Sequence, residues 1–133
     1  MNIRGSGSVV RLAAVVALVF GAVTVYSGGN VLFGDDAARL AAGAYVGFVL
    51  WFNFIAGFFY VATGVGLWRG RRWAVLLAYL LALSSLAVYA AFGLHVWLGG
   101  AFEQRTVVAM GLRCAVWLAI SWLAWKRVWS ARA

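Results

Sequence analysis

Side chains that could do chemistry are sparse in this chain, and the densest group lies in one stretch, GLHVWLGGAFEQRTVVAMGLRCAVW, residues 93–117. It holds the single histidine, His95, and the single glutamate, Glu103, together with Arg105 and Arg113. Asn53 joins them because it stands alone among apolar residues, FVLWFNFIAGFF. A histidine can move a proton near neutral pH or ligate a metal. An arginine fork binds carboxylate, phosphate or other acceptor oxygens. These five residues are the candidate polar or ligand site. One histidine and one glutamate do not close a zinc or copper ligand set, so no metal is expected, and bis-histidine haem within one chain is excluded. A quinone, or a haem completed by a symmetric copy or a partner, stays open, although neither is called for. The chain also lacks a nucleophile with its base and orienting group, a Gly-rich loop before a lysine, and paired intramembrane carboxylates. Independent catalysis is not expected.

The elements that must position these residues follow from composition. Of 133 residues, 66% are hydrophobic and 11% charged, with a mean hydropathy of +0.96. A soluble domain of this size could not hide that much apolar surface, so lipid is the expected solvent. Four apolar runs, about 9–26, 44–68, 73–98 and 106–125, reach the roughly 20 residues that a helix needs to cross a bilayer. None alternates as a barrel strand would, and helices are the other way to satisfy a backbone in lipid. The fold class is therefore all-α: one integral membrane domain over residues 1–133, four transmembrane helices running up, down, up and down. The first run resembles a signal peptide in charge and length, but VYSGGNVLFG follows without a small-x-small cleavage site, so it is read as retained.

Charge orients the spans. Arg4 and Arg11 precede the first or lie at its start, Arg69, Arg71 and Arg72 fill the second turn, and Lys126, Arg127 and Arg132 follow the last. Asp35, Asp36 and Glu103, the only acids, fall in the other two loops. The positive-inside rule puts both termini in the cytoplasm of a bacterial-type inner membrane. Trp68, Trp73, Trp125 and Trp129 lie at the depths that indoles prefer. The net charge of +8 reads as topology plus contact with anionic lipid headgroups rather than nucleic acid, because the basic residues sit at the ends of apolar runs. The lone Cys114 excludes an internal disulfide and reads as a packing residue.

Within this frame Arg113 lies ten residues past Glu103, well inside the fourth span. An arginine at that depth costs a few kcal/mol, roughly 3, unless it turns inward or snorkels. Its candidate partners are Asn53, Glu103 or a bound anionic group. It either ties spans two and four together or binds an anionic headgroup, a quinone or a small anion. Glu103 and Arg105 could instead pair at the surface, and His95 reads as a proton-responsive or hydrogen-bonding group. For helix packing, Gly43 and Gly47 form a small-xxx-small pair, with Gly57 and Gly64 on a related face. The longest connection, about residues 27–43, contains DDAARLAAG, in which Asp35 or Asp36 could cap a short helix that Gly43 ends.

The run VVRLAAVVALVFGAVTVYSGG, followed by FIAGFFYVATGVGLWRGRRWAVLLAYLLALSSLAVYA, resembles the DoxX-like four-helix membrane proteins. Arg11, Gly21 and Gly28 match the family's first helix, and Gly57, Gly64 and Gly66 its glycine-rich second one, over spans one to three. An acidic residue common early in that helix is replaced here by the residues around Asn53. The resemblance implies a small accessory protein or subunit of a respiratory or thiol redox system. The leading expectation is a non-catalytic accessory or interaction subunit that meets other membrane-protein subunits or its own copies. An oligomeric channel or carrier for an anion or small solute is the alternative, and a quinone- or haem-binding redox component the third.

Overall fold

The structure is a computed structural model that describes residues 3–129. Arg132 and the side chain of Arg4 lie outside the described part. Six elements follow in order: α1 Ile3–Phe33, α2 Asp36–Ala42, α3 Gly47–Trp68, α4 Arg72–Trp97, α5 Gln104–Ala124, and a π-helical turn Trp125–Trp129 that continues α5. Among the described residues four helical stretches are long and apolar enough to cross a membrane: Gly7–Phe33, Gly47–Trp68, Arg72–Trp97 and Gln104–Trp129.

The first helix is longer than its apolar run suggests. The sequence places a connection over 27–43, but α1 continues through Gly28 and Gly29 to Phe33. Glycine weakens a helix by roughly 1 kcal/mol, and packing offsets that here. A Cβ on Gly28 would lie 3.1 Å from Phe54 Cβ, and Phe33 sets its ring against Trp51 and Phe54 at 6.0 and 5.6 Å. Only Gly34 and Asp35 then separate α1 from α2. The Asp35 carboxylate caps α2 by accepting from Ala38 N–H at 3.0 Å, and Gly43, at φ 72°, ends it. The expected short capped helix is present. The tight turn between α3 and α4 depends on Gly70 at φ 67°, a backbone conformation that costs other residues.

Small residues decide which helices close on each other. α1 lies along α3 for most of its length, α3 packs on α4 and α4 on α5, whereas α1 and α5 meet only briefly. On α1 the buried face includes Ala13, Ala14 and Ala17, and on α4 it includes Ala74, Ala78 and Ala82. Close backbone approach replaces the hydrophobic drive available in water. Tyr60 and Trp117, both fully buried, stack at 4.6 Å and 30° in the middle. Outward, α1, α4 and α5 present Val19, Val23, Leu80, Leu83, Leu112 and Trp122, all more than half exposed. Helices apolar on the outside as well as the inside are those of a multi-pass membrane protein.

The packing glycines divide into two pairs. A Cβ on Gly57 would meet Val25 Cγ2 at 2.8 Å, and one on Gly64 would meet Leu18 Cγ at 2.7 Å, so both face α1. Gly43 and Gly47 do not form the packing pair that their spacing predicts. Gly43 lies before α3, in the turn that caps α2, and a Cβ on Gly47 would meet nothing. The i, i+4 rule holds only inside one helix, and this helix begins at Gly47.

Candidate functional site

Asp35, Asp36 and Glu103 gather at one end of the bundle, where α2 and the α4–α5 turn lie; Arg69, Arg71, Arg72 and Lys126 gather at the other. At the acidic end the charged side chains bond to backbone. Glu103 accepts from Ala44 N–H at 2.8 Å, while Arg105 Nη2 donates to Ala41 O and Ala42 O at 3.2 and 3.3 Å. The start of α5 thus grips the last carbonyls of α2 with a cation and the following N–H with an anion. Charge and backbone polarity match. Arg39 does the same for α1, donating from Nε to Val31 O at 3.2 Å and from Nη2 to Leu32 O at 3.1 Å. Its contact with Asp36, at 3.8 Å, is exposed and contributes little. His95 shares a hydrogen bond of 3.0 Å between Nε2 and Ala101 O and lies beside Phe92 and Phe48. Tyr89 donates to Val107 O at 3.1 Å, tying α4 to α5.

Two expectations are corrected here. Glu103 and Arg105 do not pair with each other, because each finds a backbone group of opposite polarity within reach in 41–44. Nor does Glu103 reach Arg113. Asn53 lines a recess of about 260 Å³ with Glu103, Arg105, Thr106 and Met110, and its Oδ1 is buried without a hydrogen-bond partner. The five candidate residues therefore do not form one site. Asn53, Glu103 and Arg105 share a recess, His95 holds the α4–α5 turn, and Arg113 stands apart.

Arg113 hydrogen-bonds to α1 and lies over one ring of α1 and one of α3. Its Nη1 donates to Thr24 Oγ1 at 3.0 Å, and its Cζ lies 5.2 Å from the Phe20 ring centre and 5.9 Å from that of Tyr60. Nε is buried without a hydrogen-bond partner. The expected tie between spans two and four is made through the Tyr60 ring, not through Asn53, and the hydrogen bond runs from α5 to α1. Trp117, one turn along α5, lies against the same Tyr60 ring of α3. Beside the guanidinium runs a cleft of about 400 Å³, walled by Val15, Val16, Val19 and Val23 with Phe20 and Thr24. Thr24 and Phe20 were not singled out from sequence. The available signal was Thr24, the one hydroxyl between Val9 and Val25.

At the basic end three cations rest on indoles. Arg11 lies 5.2 Å from Trp68, Arg72 5.0 Å from Trp129 and Lys126 4.9 Å from Trp122. Among the described residues no group of three or more His, Cys, Asp and Glu side chains is placed to hold a metal ion. Compared with protein-family models, with curated proteins and with solved structures, the chain matches none of them.

Proposed function

We propose that this chain is a non-catalytic accessory or interaction subunit of a larger membrane complex. One observation carries the reading. The acidic end is clamped by Glu103, Arg105 and Arg39, yet it holds apolar side chains outward: Leu40 is 81%, Trp97 83% and Leu98 73% exposed. Short α2 buries none of its residues. Charged groups spent on rigidity beneath an exposed apolar surface suit a docking platform at the membrane boundary. The positive-inside rule supports an up-down-up-down arrangement in an inner membrane, with both termini cytoplasmic and this platform outside. The DoxX-like resemblance of spans one to three favours a respiratory or thiol redox complex as the partner.

The test is purification from the source membrane in a mild detergent, followed by mass determination. A stoichiometric complex that Leu40→Ser with Trp97→Ser dissociates, while the bundle stays folded, is the expected outcome. A chain recovered without other subunits, or a complex indifferent to both substitutions, would remove the proposal.

A further inference from the structure

Arg113 is left with a charge that no acidic group among the described residues offsets. The chain has three acids. Asp35 caps α2, Asp36 faces Arg39, and Glu103 holds Ala44 N–H. The only hydrogen-bond acceptor the described residues offer Arg113 is the neutral Thr24 hydroxyl. Phe20 and Tyr60 offer ring faces, which steady a cation without neutralising it. Arg113 lies nine residues past the start of α5, a depth of about 13 Å at 1.5 Å per residue. At that depth an unpaired charge is expensive.

The cleft beside it has the form of a binding site for one kind of molecule. Its volume, about 400 Å³, is within the range of small-molecule sites. Its walls are valines along one face of α1, from Val15 to Val23, and its polar end is Arg113 with Thr24. The valines are 38–58% exposed, so the cleft opens sideways, toward the lipid. We infer that this cleft binds an anionic single-tailed amphiphile, its compact head on Arg113 and Thr24 and its tail along Val15, Val16, Val19 and Val23. A bulky zwitterionic headgroup does not suit a polar end of one guanidinium and one hydroxyl so far from the helix end. A fatty carboxylate or a lipid phosphate monoester supplies the missing charge. This inference is independent of the docking platform at the acidic end, and the two can fail separately.

The experiment is native mass spectrometry of the purified chain titrated with palmitate, with hexadecanol as the neutral control and an organic extract of the untreated protein analysed alongside. Wild type should bind one palmitate per chain and hexadecanol far more weakly. Arg113→Gln should weaken palmitate about tenfold or more, as loss of a charge-assisted hydrogen bond does. Val19→Trp fills the cleft and leaves the arginine in place, so it serves even if Arg113→Gln does not fold, and it should also abolish binding. The extract identifies whether the native head is carboxylate or phosphate. Equal binding of hexadecanol and palmitate, palmitate binding unchanged by either substitution, or a neutral quinone as the sole bound lipid would each overturn the inference.

Discussion

α1 has two faces with opposite fates. Toward α3 it closes until Gly21 lies 2.8 Å, from its would-be Cβ, to the Gly57 carbonyl. Toward α5 it stays apart, joined at mid-helix by Arg113 and Thr24. Both faces are apolar in sequence. Glycine and alanine on both partners allow backbones to meet, and that contact is self-sufficient. Branched valines and a guanidinium hold backbones apart and leave room for another molecule. In a small membrane bundle, side-chain size at the seam decides whether a face is structure or site.

Substitutions can break this contrast, and the largest effect belongs to the closed seam. Gly57→Leu should cost about 3 kcal/mol or more, because its first added carbon already meets Val25 and Thr24. Unfolding in mixed detergent would measure it, and Val19→Leu on the open face should shift the same transition by about 0.5 kcal/mol or less. Equal effects of the two would erase the distinction between the faces. Next comes the acidic clamp. Glu103→Ala removes the acceptor for Ala44 N–H and should lower stability by about 1–2 kcal/mol, with faster hydrogen exchange at residues 41–46. Thr24→Val tests the Arg113 hydrogen bond across the open seam, and a loss of about 1 kcal/mol is expected. The smallest effect sharpens the glycine argument. Gly47→Ala meets no atom and should be neutral or stabilising by up to about 0.5 kcal/mol, whereas Gly57→Ala should destabilise. Destabilisation by Gly47→Ala would show that its face is covered.

Much of the fold was legible in the residues. Apolar runs flanked by Arg69, Arg71 and Arg72, and by Glu103 and Arg105, mark helix ends within a few positions, since charge and length limits act locally. The cap at Asp35 and the stop at Gly43 were readable for the same reason. The end of α1 was not: SGGN looks like a loop until Phe54 is found packed on Gly28 and Gly29. The candidate site was legible as a set of residue types and illegible as a place. Arg113 was recognisable as exceptional from its depth alone, but its partners, Thr24, Phe20 and Tyr60, depend on helix rotation.

Sequence alone determined the solvent of this protein, the number of its long helices, and the separation of its acids from most of its basic residues. Those properties follow from the free energy of transferring each residue into lipid, a sum in which neighbours in space hardly enter. Only the tertiary structure decided that Glu103 and Arg105 grip residues 41–44, that Gly47 packs against nothing, and that Arg113 turns to Thr24 beside an open cleft. These are matters of which face of one helix meets which face of another. A nearly uniform apolar surface offers little pattern from which to read that rotation, and close packing supplies the choice.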